Sequence, residues 1–293
     1  MGHRNSPWRA HAAAALVDRA PDWSAMLATR MMGKVARLEL PAPVTRAAIS
    51  AYARYFDVDL RDVDQEHRQG GFASFDEFFT RSLAEHARPI APDSSIVVSP
   101  CDGFVREVVR VEKHGEVIAK GHSFTVGDLL ADTTLADRFV GGLQSTIYLH
   151  PRDYHRVHTP CAGAVKTVTA IPGRLLPVTD ASLERCPTLF SLNERLVHSL
   201  ETPMGAVAVV MIAAFGVGHM SCAYVESEAH PTQVVQQELH PSVKVEKGDE
   251  LGVFHLGSTV VLFVEEGFES VVEAGPIQFG MPLLRATGSK AKL

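Results

Sequence analysis

The sequence predicts an α+β protein, with a helical N-terminal region packed on a mostly antiparallel, β-rich domain. Three observations predict it. Apolar residues recur at helical spacing through about residue 90. From Ile96 onward, Val-rich segments alternate with Gly, Pro and Asp turns, the mark of short antiparallel strands. The chain has 293 residues, 46% hydrophobic and 21% charged, which suits a globular protein with a substantial core.

The helices come first. Trp23 to Leu38 places Met26, Leu27, Met31, Val35 and Leu38 near helical spacing, with Arg30, Lys34 and Arg37 among them. Pro41 and Pro43 end that helix, and Thr45 can cap the next one, through Tyr55. Ser74-Phe75-Asp76-Glu77 has the form of a capping box that opens a helix from Phe75 to Leu83. Pro89 and Pro92 then punctuate the chain, so the expected division is 1–92 and 93–293.

Strands are expected at Ile96–Val98, Phe104–Val111, Glu116–Ile118, Thr146–Leu149, Ala164–Ile171, Ala206–Ala214, Val260–Val264 and Glu269–Val272. The stretch from Gly205 to Val225 holds no Asp, Glu, Lys or Arg and imitates a membrane span. Gly216 and Gly218 interrupt it, and its β-branched residues favour two buried strands joined at those glycines. Phe254 to Phe263 reads as one buried strand interrupted by Gly257-Ser258-Thr259. Glycine inside a strand often marks a close approach of backbone.

Composition excludes some functions. A net charge of −6 argues against general nucleic-acid binding, which needs a basic surface. The four cysteines, Cys101, Cys161, Cys186 and Cys222, form no Cys-x-x-Cys pair and read as reduced thiols in a cytoplasmic setting. The run Ala12 to Val17 is too short for the apolar core of a signal peptide.

Three groups could do chemistry. Ser99-Pro100-Cys101-Asp102-Gly103 presents a carboxylate on a turn, and the segment Tyr148 to His158 carries His150, His155 and His158. Gly257-Ser258-Thr259 supplies a hydroxyl. Acid, imidazole and hydroxyl are the ingredients of an activated nucleophile. Taken singly, each has a plain structural reading: a turn, a pair of unrelated histidines, a strand serine. His155 and His158 lack the accompanying ligands of a zinc site, so no metal is expected. A serine hydrolase would use the same residue types, but Gly-x-Ser-x-Gly is absent around Ser258.

The chain resembles the pyruvoyl-dependent phosphatidylserine decarboxylases of bacterial type. The likeness rests on Phe75-Asp76-Glu77-Phe78-Phe79-Thr80-Arg81, Ser99 to Gly103, Lys120-Gly121-His122-Ser123-Phe124-Thr125, Asp153-Tyr154-His155-Arg156-Val157-His158, Asn193-Glu194-Arg195 and Leu256-Gly257-Ser258-Thr259, all in family order. The resemblance implies a proenzyme whose Gly257–Ser258 bond is cleaved by a triad of Asp102, His158 and Ser258. Ser258 would attack the Gly257 carbonyl, with His158 taking the proton and Asp102 holding the imidazole. The products would be a long chain, 1–257, and a 36-residue short chain, 258–293, headed by a covalent pyruvoyl cofactor made from Ser258. The 93–293 region would be the catalytic domain.

In turnover, the resemblance implies a Schiff base between the pyruvoyl ketone and the amine of phosphatidylserine, loss of CO2, and release of phosphatidylethanolamine. His155 would be the proton donor to the substrate. A lipid substrate implies a peripheral enzyme on the cytoplasmic face of the cell membrane, with the Trp23–Leu38 helix as its contact. A homodimer is a family-level expectation. His219 and His150 stand where smaller residues are common in the family, which places head-group recognition in question. The alternatives are a pyruvoyl decarboxylase of a soluble amino acid, a serine hydrolase with an intact chain, and a non-catalytic β module in which Ser258 merely packs.

Overall fold

The computed structural model describes residues 22–287, apart from 120–121, 217–218, 227–229 and 257. It is α+β, as the residue pattern predicts. Four helices precede the first strand: α1 (Asp22–Ala36), α2 (Ala42–Phe56), α3 (Gln65–Gly70) and α4 (Phe75–Phe79). Among the described residues sixteen strands follow, with four short α-helices and one 3-10 turn among them. The strands are β1 (Ile96–Val98), β2 (Gly103–Arg110), β3 (Glu116–Ala119), β4 (His122–Thr125), β5 (Leu143–Tyr148), β6 (Arg156–His158), β7 (Gly163–Ile171) and β8 (Arg195–Thr202). The series continues with β9 (Gly205–Ala213), β10 (His219–Cys222), β11 (Val235–Val245), β12 (Glu250–His255), β13 (Ser258–Val264), β14 (Phe268–Ser270), β15 (Gly275–Ile277) and β16 (Pro282–Ala286).

Eight strands build the main sheet in the order β11-β7-β8-β9-β13-β5-β2-β15. Its centre is β9 and β13, runs of Val, Ile, Leu and Phe whose described side chains from Val207 to Ala213 and from Val260 to Val264 are all buried. Such continuous apolar runs are what a strand covered on both faces requires. A second sheet, β10-β12-β6, and a third, β1-β16-β14, flank it, and β3 pairs β4. Every pairing among these strands is antiparallel.

Several boundaries differ from the sequence reading. The second helix begins at Ala42, with Pro41 as its cap residue and Pro43 in its first turn, where a missing N–H costs nothing. Thr45 therefore lies inside the helix, and its hydroxyl donates to Leu40 O. Ser74 caps α4 by accepting from Glu77 N at 3.1 Å, yet that helix is a single turn and ends at Phe79, well short of Leu83. Leu83 instead forms a bridge to Val63. Gly205–Val225 holds two strands, β9 and β10, but they belong to different sheets. Phe254–Phe263 is likewise two strands in two sheets, with the turn between them at Leu256. No helix among the described residues is long and apolar enough to cross a membrane.

His198 sits in β8, fully buried, and neither ring nitrogen makes a hydrogen bond among the described residues. Burial pushes its pKa down to about 4. The unfolded chain therefore binds a proton that the folded chain refuses, and stability is lost as pH falls below the ordinary histidine value. Urea unfolding of the Ser258→Ala chain should show lower stability at pH 5 than at pH 7. His198→Leu should remove about 2 kcal/mol of that loss.

Candidate active site

The main sheet gathers the predicted residues at one end. Phe104 in β2 pairs Tyr148 in β5, and Tyr148 pairs Thr259 in β13. Asp102, the end of β5 and Ser258 therefore share one edge of three adjacent strands. Gly103 allows the close approach: a Cβ there would lie 2.5 Å from Tyr148 O. The histidine segment leaves the end of β5 and returns through β6 into the second sheet.

That segment is held by the Phe75–Arg81 stretch. The buried Arg81 guanidinium donates to Arg152 O at 3.1 Å and Asp153 O at 3.3 Å, and Arg156 Nε donates to Thr80 O at 2.8 Å. Asn193 and Arg195 also act as scaffolding. The Asn193 amide donates to Ala213 O, on the residue that pairs Ser258, and Arg195 donates to the carbonyls of Leu129, Asp128, Ser191 and Asn193.

His158 is almost fully buried. Its Nδ1 lies 2.8 Å from Gly248 O, a group that can only accept, so the proton sits on Nδ1 and Nε2 carries the lone pair. Nε2 accepts from Tyr154 Oη at 3.0 Å. Phe279 stacks on the ring with centroids 3.9 Å apart. Burial presses the imidazole toward its neutral form. The ring is thus oriented and tautomerised as a base. The sequence reading has Asp102 holding this imidazole, and the structure corrects that contact: a backbone carbonyl holds it instead.

Asp102 has other partners. Its carboxylate accepts from Arg88 Nε at 3.1 Å and Nη2 at 2.7 Å, and from Phe279 N at 2.8 Å. No hydrogen bond joins Asp102 to His158 among the described residues. Phe279 joins them, its N–H on the carboxylate and its ring on the imidazole. Arg88 also reaches Asp62 at 2.7 Å.

His155 is completely buried, its ring 4.0 Å from that of Phe79. Its Nδ1 lies 2.8 Å from Asp153 O, which again leaves the lone pair on Nε2. That Nε2 has no hydrogen-bond partner among the described residues. Burial, with Arg81 adding to it, lowers the imidazole pKa to about 3. Asp153 is pushed the other way, up to about 6, by burial.

Gly257 lies outside the described residues, as does the side chain of Ser258. The residue before them is informative. Leu256 has φ of 91°, a conformation that a side chain bearing Cβ pays roughly 1–3 kcal/mol to hold. It is held there by packing against the Ile49, Phe78 and Phe79 cluster.

Beside this junction is an apolar cavity of about 770 Å³, lined by Met31, Val35, Tyr52, Phe79, Tyr148 and Leu256 among others. A second cavity, of about 600 Å³, meets the charged or titratable side chains of Asp102, Arg81, Arg88, His150 and Asp153.

The family model for phosphatidylserine decarboxylase matches residues 75–285. The chain belongs to this family. It is 43% identical over 247 residues to a phosphatidylserine decarboxylase proenzyme from Anaeromyxobacter sp. (strain K), covering 82% of this chain and 85% of the relative. A proenzyme of the same name from Myxococcus xanthus is 42% identical, over 80% of this chain and 84% of the relative. One from Pseudomonas aeruginosa is 37% identical, over 79% and 83%.

Tyr154, Arg88, Gly248 and Phe279 are the site residues that sequence reasoning missed. Tyr154 lies inside a family stretch and could have been found there. The other three meet Asp102 or His158 only through the fold, and no local pattern marks them.

Removing Arg88 strands a buried carboxylate. Arg88→Met should cost about 3–5 kcal/mol. Adding Asp102→Asn should return part of that loss in a double-mutant cycle by urea unfolding, and simple additivity would deny the coupling.

Proposed function

We propose that this chain is a self-processing, pyruvoyl-dependent phosphatidylserine decarboxylase that yields phosphatidylethanolamine and CO2. Family membership carries the reaction. The positive-φ residue Leu256, between two strands that belong to different sheets and next to the proposed cleavage point, is the observation that supports self-cleavage.

The chain's own groups suit the cleavage. Ser258 Oγ attacks the Gly257 carbonyl carbon, and the amide becomes an ester as the nitrogen is released to the short segment. His158, neutral and carrying its lone pair on Nε2, is the base; Tyr154 hands over that position when the hydroxyl arrives. General-base help of this kind contributes typically ~10²–10⁴-fold. Loss of the α-proton of residue 258 then expels the Gly257 carboxylate, and water replaces the nitrogen as ammonia. Asp102, clamped by Arg88, places its negative charge near the imidazolium through Phe279. The short chain stays in place after cleavage, because β13 lies between β5 and β9, β15 pairs β2, and β16 pairs β1.

The site suits a pyruvoyl group. His155 Nε2 and Thr259 Oγ1 are both buried without hydrogen-bond partners among the described residues, polar positions that await something polar. The group supplies an electron sink for the charge left when CO2 departs. His155 is the proposed proton donor, with one refinement. Its Nε2 is a base in this structure, so it must first take a proton, and the ammonium of the incoming amine has one to give. It then returns that proton to the substrate carbon.

A lipid substrate is favoured over a soluble amino acid by the apolar cavity. Its wall includes α1, whose outer side exposes Leu27, Met31, Met32 and Val35, followed by exposed Leu38 and Leu40. Arg30 and Lys34 are exposed on the same helix. We infer that this surface rests on the bilayer, with acyl chains entering the cavity from it. The serine-hydrolase reading loses ground, since Ser258 belongs to a family of proenzymes that are cut.

Ser258→Ala and His158→Ala should each run as one chain on a denaturing gel, while wild type splits into two. His155→Ala should split but release CO2 from phosphatidylserine at least ~10²-fold more slowly. Soluble phosphoserine turned over as well as the lipid would overturn the substrate assignment. Wild type should sediment with anionic vesicles, and Met31→Asp/Val35→Asp should lose most of that binding; equal sedimentation would remove α1 as the contact.

A further inference from the structure

One cluster of titratable side chains takes no part in the chemistry above, and it abuts the cleavage junction. His255 ends β12, two residues before Gly257. Its ring is gripped from three directions. Nδ1 lies 2.9 Å from both carboxylate oxygens of Asp76 in α4. Nε2 lies 3.2 Å from Ser221 Oγ in β10. One face stacks on His219, with centroids 3.7 Å apart and planes 16° apart, and the two residues are register partners in the β10–β12 ladder.

The charges around it are arranged for one purpose. Arg37, just past α1, hydrogen-bonds His219 Nδ1. A guanidinium only donates, so that nitrogen holds a lone pair and His219 is neutral. Burial, with His255 and Arg37 adding to it, lowers the His219 pKa to about 3. His219 therefore stacks on His255 as an uncharged ring and does not compete for Asp76.

Helix α4 thus holds consecutive residues by two different forces. Asp76 fixes His255 by a charged hydrogen bond with side chains only 15% and 17% exposed, and Phe78 and Phe79 pack Leu256. Leu256 is the residue with positive φ. Released from these contacts, it would relax to an ordinary backbone region.

We propose that His255, held by Asp76, is a positioning residue for self-cleavage: the pair fixes the strand end so that the strained turn presents the 257–258 bond to the Ser258 hydroxyl. Attack needs the reacting atoms about 3–3.5 Å apart, and a 1 Å displacement can cost about 10²-fold. The inference rests on the self-cleavage reading.

The test is the processing rate of full-length chain made by cell-free translation and chased after labelling. The variants are Asp76→Asn, Asp76→Glu and His255→Phe, each first compared with wild type for thermal midpoint. Asp76→Asn and His255→Phe should process at least roughly tenfold more slowly, and Asp76→Glu, which keeps the carboxylate, should recover most of the rate. Hydroxylamine, which cuts an ester but leaves the amide, should fail to restore cleavage in the slow variants, because the defect precedes ester formation. Full cleavage by hydroxylamine would overturn the role, as would wild-type rates in both variants. Slowing that tracks a fallen midpoint and is not recovered by Asp76→Glu would also overturn it. If His255→Phe fails to fold, Asp76→Asn against Asp76→Glu decides. If wild type itself stays whole, the self-cleavage reading fails first.

Discussion

The turn between β12 and β13 is the constraint on which the rest of the site depends. Both strands are buried, and each is locked into a different sheet. The chain changes sheets between His255 and Ser258. It does so with Leu256 in a conformation that costs energy, which the packing of Ile49, Phe78 and Phe79 offsets. Helix α4 meets this junction at several points. Its one turn caps on Ser74, packs on Leu256, pairs with His255 and lies against His155.

The two histidines proposed as acid–base groups follow a common rule. Both His155 and His158 give their Nδ1 proton to a backbone carbonyl and keep a lone pair on Nε2. Both are buried and favoured as neutral rings. Fixed carbonyls do the orienting that a carboxylate does in a hydrolase triad. The carboxylate, Asp102, is spent on Arg88 and on Phe279 N. Its influence on His158 is electrostatic and passes across Phe279, where a direct hydrogen bond was expected.

Much of this was legible in the residues. The change from helical spacing to Val-rich segments near Ile96 coincides with the first strand, and β1, β7 and β9 fall within a residue of their expected ends. Such runs are readable because burial on both faces demands β-branched, apolar side chains. What escaped was short or context-dependent. Strand β6 carries His158, but polar residues at a sheet end resemble a loop in sequence. The stretch from Phe254 to Phe263 read as one strand because its apolar content is continuous, while the change of sheet is set by tertiary pairing. The Asp76–His255 pair spans 179 residues of sequence, and no local spacing can announce it.

The sharpest measurement is the intact mass of the small fragment from purified, active enzyme. Cleavage by residue 258 on its own preceding carbonyl predicts a fragment of residues 258–293 lighter by one ammonia than the same segment begun by serine, and closed to Edman degradation. An active preparation made of a single continuous chain, or a fragment with free serine at its head, would contradict the account.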